Sequence, residues 1–446
     1  MEEYPCLIFD TDLLLLDPNL DKTLIPLVPC KEFIYDTSMF PRTIVSEWNL
    51  VCDRRWLVHA CQVVMMWGIL VGGIFFGVVA DKYGRRTPLL IAIVIEGVGG
   101  LLASVIPWFW VFLINWFILA MANGGISLIA FVLCMEVVSG KWRTIIPVLH
   151  QLPFGLGNAL MAGLANWLRD WRKLELALGC FTSSFILFWI WIPESPRWLI
   201  ASGQMDKALE ILVQAAKMNS REISVKEISR LLSKHVNPMA NKSVPTFSAF
   251  LKSKNMRMKT ILLSMNWFCT GLSFYTFAQY LGSIGRDIFI AVAVTGIISS
   301  LGGLTCVYVV TKVGRKTALG LYQGITGICF ILLLLQPESK LKANWARLLF
   351  AGIGFGGMAG TVPVLYLYSG EIFPTLGRNC GLVGVSTFAR VGSMIAPVML
   401  LLEGFLAGFP LLILTIISIC QMLMILPLPE TKNVNLPDTL EEAEKI

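Results

Sequence analysis

The chain has 446 residues, 56% of them hydrophobic and 15% charged, with a mean hydropathy of +0.70. A water-soluble globule of this size needs far more polar surface, so that class is excluded. The net charge of +7 is concentrated in loops, with about a dozen basic residues between Arg197 and Lys259; this is a topology signal, and no nucleic-acid partner is expected.

In chain order, residues 1–56 come first and contain no apolar run longer than a few residues. The best is Leu13 to Leu16, flanked by Asp10, Asp12 and Asp17. Met1 to Asp10 is acidic and lacks the basic start and apolar core of a signal peptide. Cys6, Cys30 and Cys52 precede the first span, and on an extracellular segment a Cys30–Cys52 disulfide is the expected pair. Most other cysteines lie inside apolar runs and read as inert packing residues.

Eleven apolar spans follow, at about 57–80, 87–106, 108–133, 143–167, 174–192, 260–281, 287–311, 317–336, 345–369, 379–402 and 406–428. Several reach about 20 residues, enough to cross a hydrocarbon core of about 30 Å. The runs are continuous rather than alternating, which predicts helices and not a barrel. Residues 193–259 are the polar exception. There Ala208, Leu209, Ile211, Leu212, Ala215 and Ala216 recur at helical spacing, so short amphipathic helices are expected.

The basic loop 193–259 sets the orientation. It places itself and the tail 429–446 in the cytoplasm and residues 1–56 outside. The expected organisation is an outer segment 1–56, a five-span half 57–192, the loop 193–259, a six-span half 260–428 and the tail. Five spans against six leaves the first of twelve apparently missing.

The two halves repeat each other at a distance of about 235 residues. Glu136 and Arg143 in MEVVSGKWR are echoed by Glu371 and Arg378 in GEIFPTLGR. The turn DKYGRR (Asp81 to Arg86) is echoed by TKVGRK (Thr311 to Lys316), and Pro193-Glu194-Ser195 by Pro429-Glu430-Thr431. Parallel pseudo-repeats in a membrane protein are the architecture of a rocking transporter.

From about Cys30 onward these motifs together resemble the organic ion transporters of solute carrier family 22, in the major facilitator superfamily. The resemblance rests on YDTSMFPRTIVSEWNLVCDRRWL, GVVADKYGRR, MEVVSGKWR, LANWLRDWRKLEL, PESPRWLIASGQMDKAL and EIFPTLGRNCGLVGVSTFARVGSMIAPV. Sugar porters share the PESPRW-like and EIFPT stretches. WFCTGLSFYTFAQYLG lacks the paired glutamines with which that family holds sugar hydroxyls. The resemblance implies an all-α integral membrane fold, a major-facilitator-type bundle of two halves, resident in the plasma membrane.

The resemblance also implies roles. Gly77, Asp81, Gly84, Arg85 and Arg86 would form a gating turn, with Gly314 and Arg315 as its second copy, weakened by Thr311. Glu136 with Arg143 and Glu371 with Arg378 would form charge pairs, joined by Glu194, Arg197 and Glu430. Arg390, mid-span, is a functional candidate by default, because a guanidinium in the membrane is costly unless it faces a cavity or a partner. In the resembled family this position is basic in anion and carnitine carriers and acidic in cation carriers. Trp267, Phe274, Tyr275, Tyr280 and Tyr366 would line a central cavity. Glu96, Glu403 and His150 are further titratable residues in the spans, and Ser299 and Ser300 stand where the family often has a glutamate.

No Walker loop, zinc spacing or nucleophile elbow is present, so no enzyme, cofactor or metal is expected. The sequence reading is a carrier of small organic ions, leaning to organic anions or zwitterions such as carnitine-like compounds, by alternating access. Uniport, exchange and symport with an ion all fit it, and oligomeric state is open. The alternative is a non-transporting regulator, sensor or inactive isoform of the same fold.

Overall fold

The structure, a computed structural model, describes residues 6–9, 27–30, 32–138, 142–150, 152–220, 224–235, 247–284, 288–336, 345–374, 378–401, 408–432, 434, 437 and 440–445. The sequon Asn241-Lys242-Ser243 and Glu403 lie outside these residues. Two short strands, β1 (Leu7–Phe9) and β2 (Leu27–Pro29), pair antiparallel. The first half comprises α1 (Ile44–Trp48), α2 (Trp56–Tyr83), α3 (Arg86–Ala103), α4 (Phe109–Val137), α5 (Trp142–Leu149), α6 (Leu152–Leu168) and α7 (Trp171–Ser184). The connecting loop holds α8 (Pro196–Ala201), α9 (Met205–Met218), α10 (Val225–His235) and α11 (Phe247–Lys252). The second half comprises α12 (Lys254–Ile284), α13 (Ile288–Lys312), α14 (Arg315–Leu335), α15 (Trp345–Ile372), α16 (Arg378–Leu401) and α17 (Phe409–Ile425), before α18 (Leu440–Lys445).

Among the described residues, eight helices are long and apolar enough to cross a membrane, and Phe409–Ile425 is a shorter apolar helix. The expected span 143–167 is divided into α5 and α6, and the end of the expected 174–192 span tightens into a 3-10 turn at Phe185–Ile190. Ile91, Val94, Val98 and Leu102 are exposed along one stripe of α3, as are Ile297, Leu301, Leu304 and Tyr308 along α13. Exposed apolar stripes at helical spacing are the faces that lipid covers.

Glycines set the helix contacts, because without a driving force from water the helices associate through close packing. A Cβ on Gly271 of α12 would lie 2.6 Å from the carbonyl carbon of Ala389 on α16, and one on Gly100 of α3 would lie 3.0 Å from Cα of Gly179 on α7. The halves meet chiefly along two helix pairs, α6 with α13 and α2 with α16, with smaller contacts of α5 on α13 and α15. Gly155 of α6 sits against Gly296 and Ser300 of α13, and Ser300 Oγ donates to Leu152 O (3.3 Å).

The disulfide expectation is corrected. Cys6 bonds to Cys52, and Cys30 is free. Pairing of β1 with β2 sets Cys30 beside Cys6, where Cys30 N donates to Cys6 O (3.2 Å). Cys6 is left to reach Cys52 at the foot of α2.

The same end of the bundle is tied by Glu47. Its carboxylate accepts from Arg172 Nη2 (2.5 Å) and Nε (2.9 Å) and from Trp171 Nε1 (2.8 Å). Arg172 also donates to Ser104 O and Ile106 O, both at 2.7 Å. Trp48 packs against Phe112 at 5.0 Å and Trp171 at 5.4 Å. Both charges are largely buried, at 13% and 14% side-chain exposure, so removing one leaves the other uncompensated. Glu47→Ala should cost about 2–3 kcal/mol. Thermal unfolding, and faster tryptic cleavage within residues 32–56, would record it.

Candidate functional site

At the opposite end of the bundle the repeated motifs build two matching clamps. The turn between α2 and α3 needs Gly84 at φ +97°, in the left-handed region that side chains avoid. A Cβ there would also run into the Glu194 carboxylate. Glu194 Oε1 accepts from Arg85 N (2.7 Å) and its Oε2 from Arg86 N (3.2 Å), so the carboxylate caps the orphan amides at the start of α3. Arg85, only 7% exposed, pairs with Glu136 (3.1 Å) and Asp81 (3.0 Å). Trp198 Nε1 reaches Asp81 O (2.9 Å), and Arg86 donates to Trp189 O (2.7 Å).

The second half repeats the arrangement. Gly314 has φ +121°, and a Cβ on it would lie 2.7 Å from Glu430 Oε2. Glu430 accepts from Arg315 N (2.8 Å) and Lys316 N (3.1 Å). Arg315 Nη2 pairs with Glu371 (2.8 Å), and Thr431 Oγ1 adds a hydrogen bond to Glu371 (2.6 Å). Thr311 turns its hydroxyl back to Val307 O and Tyr308 O. Asp81 therefore has no counterpart, and Arg315 and Glu371 pair without one.

Glu136 and Glu371 take Arg85 and Arg315, from the preceding turn, as partners; the expected pairs with Arg143 and Arg378 fall on side chains outside those described. Arg197 is exposed and makes no ion pair among the described residues, so it stands apart there from the clamp that Glu194 completes. Gly77 does bring α2 close to α4: a Cβ would lie 3.1 Å from Leu128 Cδ2.

Between the halves the aromatic residues separate into two groups. Tyr366 of α15 meets Phe131 of α4 at 5.5 Å and Trp267 of α12 at 4.5 Å; Trp267 Nε1 donates to Ser369 Oγ (3.1 Å). Phe274 of α12 meets Phe154 of α6 at 6.2 Å, beside Tyr275 at 5.6 Å. These rings span the interface. Tyr280 does not join them. It is buried with Phe277, Phe330 and Leu333 inside the second half, and its hydroxyl accepts from Arg347 Nη2 (2.6 Å). The helical turn carries it to the α14–α15 side of α12, away from the rings that span the interface.

Arg390 lies partly buried on α16, within electrostatic reach of Tyr275. Its Nη1 donates to Ser386 O (3.0 Å), one turn back on its own helix. Among the described residues no carboxylate pairs with it. In the first half, Glu96 accepts from Asn123 Nδ2 (3.0 Å), and His150 sits edge-on to Phe131 at 5.7 Å. Sequence reading missed a buried polar network in the second half, centred on Asn266, Thr270, Gln323 and Gln421. Its signal was polar residues recurring on otherwise apolar helices.

A family model described as "Sugar (and other) transporter" matches residues 38–443. The chain is 31% identical over 421 residues to the "Organic cation transporter protein" of Drosophila melanogaster, covering 93% of this chain and 76% of the relative. It is 31% identical over 422 residues to "Solute carrier family 22 member 12" of Mus musculus (94% and 76%), and 30% identical to "Solute carrier family 22 member 13" of Homo sapiens (90% and 72%). The fold matches solved structures of the proton:xylose symporter XylE, one with TM-score 0.65 at 22% identity, covering 90% of this chain and 91% of that one. The chain belongs to solute carrier family 22 of the major facilitator superfamily: it is a multi-pass membrane transporter of a small-molecule substrate, at home in the plasma membrane, and not an enzyme.

Proposed function

We propose that the substrate is a small organic anion or zwitterion, carnitine-like compounds included, bound between the halves and moved by alternating access. The observation that carries this is Arg390. A guanidinium has five N–H donors and stays charged, and among the described residues it makes one hydrogen bond, to its own helix. An unpaired cation at membrane depth favours a carboxylate, which it can hold bidentately. Phe274, Tyr275, Trp267 and Tyr366 supply apolar surface for the rest of the molecule. The two clamps do not touch that region; they are proposed as the cytoplasmic gate, holding helix ends together until the halves rock.

Uptake of a labelled aromatic carboxylate, carnitine and a quaternary amine by cells expressing the full chain tests this, with surface level measured by biotinylation. Carboxylate or carnitine uptake is expected. Arg390→Ala should lower it by about 10-fold or more at unchanged surface level, the worth of a charge-assisted hydrogen-bonded contact, and Arg390→Lys should restore part of it. Uptake of the amine alone overturns the charge assignment. Surface delivery with no uptake of any probe favours the non-transporting reading.

A further inference from the structure

We infer that the second half contains a binding site for one small monovalent cation, sodium in size and charge, enclosed by α12, α14 and α15 and closed by α17. The site is a cavity with room for about one water-sized particle, lined by Met358 and by six polar residues, Thr270, Ser273, Gln323, Thr326, Thr361 and Gln421. All six residues are at least nine-tenths buried. Ser273 Oγ and Gln323 Oε1 are buried with no hydrogen-bond partner among the described residues.

The direction of each hydrogen bond decides what the cavity presents. Asn266 Nδ2 donates to Gln421 O (3.3 Å), so Asn266 Oδ1 must accept. Gln323 Nε2 fills that need (2.9 Å), which turns Gln323 Oε1 toward the cavity. The protons of three hydroxyls are spent on carbonyls of their own helices: Thr270 on Asn266 O (2.8 Å), Thr326 on Tyr322 O (2.9 Å) and Thr361 on Gly357 O (3.0 Å). Gln421 Nε2 is spent on Thr270 Oγ1 (2.8 Å) and Asn266 O (3.3 Å). The lining therefore offers oxygens with free lone pairs from Thr270, Ser273, Gln323, Thr326 and Thr361, against two uncommitted protons, that of Ser273 and the second N–H of Gln323. The excess of lone pairs over donors favours a cation over an anion. The absence of any carboxylate from the lining disfavours a divalent ion, whose burial needs charged ligands.

The position gives such an ion leverage. Thr270 and Ser273 lie on α12 between Trp267 and Phe274, and Thr361 is on α15 a short way from Tyr366. An ion bridging these helices would fix the spacing of the aromatic wall that faces the first half. Coupling-ion sites in carriers also lie near membrane depth and are made of neutral oxygens; here side chains on unbroken helices supply them.

The test uses the purified full chain in lipid nanodiscs. Thermal unfolding is followed as sodium chloride replaces choline chloride at constant ionic strength, with binding of labelled sodium measured in parallel. A saturable rise in the unfolding midpoint with sodium, and about one sodium bound per chain, are expected. Ser273→Ala removes an unpaired hydroxyl and so should fold at least as well as the parent in choline, yet raise the half-saturating sodium concentration by roughly tenfold or more; Thr361→Val should do the same. No sodium-dependent rise and no bound sodium in the parent protein would mean water only, and would overturn the site. Sodium binding unchanged in both variants would place the ion elsewhere and overturn it equally. Neither readout depends on which organic substrate the carrier moves.

Discussion

Gly271→Ala should destabilise the folded carrier by about 2 kcal/mol or more, although alanine is the better helix former by about 1 kcal/mol. The new Cβ would lie 2.6 Å from the carbonyl carbon of Ala389 and 2.7 Å from its Cα. Those are backbone atoms, so no side chain can rotate away and α12 and α16 must separate along their contact. Separation opens gaps that lipid fills poorly, and the lost dispersion contacts are the cost. Gly320→Ala is the control: on α14 an added Cβ meets nothing within 4 Å, so only the helix-propensity gain remains and the midpoint should rise. Thermal unfolding followed by size-exclusion fluorescence measures both. A Gly271→Ala midpoint at or above the parent would show that the two helices are not held by backbone contact.

Glu430→Ala should lose about 2 kcal/mol of stability and depress maximal uptake by about 10-fold, with the half-saturating substrate concentration moving about 2-fold or less. The carboxylate satisfies Arg315 N and Lys316 N at the start of α14 and also Thr431 N and Lys432 N, both at 3.0 Å, in its own turn. Alanine leaves these amides to find water and frees the strained turn at Gly314. Glu430→Gln keeps the shape but replaces half the acceptors with donors, so it should fall between the two. The uptake split separates a gate residue from a binding residue: a large rise in half-saturation with unchanged maximal uptake would put Glu430 at the substrate and not at the gate. Glu194→Ala in the first clamp should behave alike, because Glu194 holds Arg85 N and Arg86 N as Glu430 holds Arg315 N and Lys316 N.

Much of the candidate site was legible before the fold was known, for a reason specific to repeats. Arg85 with Arg315, Glu136 with Glu371 and Glu194 with Glu430 are recognisable because a duplicated clamp writes the same charges twice at nearly constant spacing. The spacing did not say who pairs with whom. Glu136 and Arg143 share a local motif, whereas the salt bridge to Arg85 joins residues 51 apart in sequence. Likewise three cysteines ahead of the first span did not say which two would bond; Cys30 with Cys52 was expected, and Cys6 bonds Cys52 instead.

The sequence by itself determined the membrane class, the helical character of the apolar runs and the recurrence of the motifs. Hydrophobic length and motif recurrence are local quantities that survive without coordinates. It also singled out Arg390, because a charge inside an apolar run is anomalous whatever surrounds it. Only the tertiary structure decided which faces meet. Tyr280 and Phe274 lie less than two turns apart on α12, yet one is buried within the second half and the other touches the first, because 3.6 residues per turn sends them in different directions. The polar chamber of Thr270, Ser273, Gln323 and Thr361 was equally hidden: its oxygens come from three helices distant in sequence, and the two threonine protons point away from it only once each helix has formed.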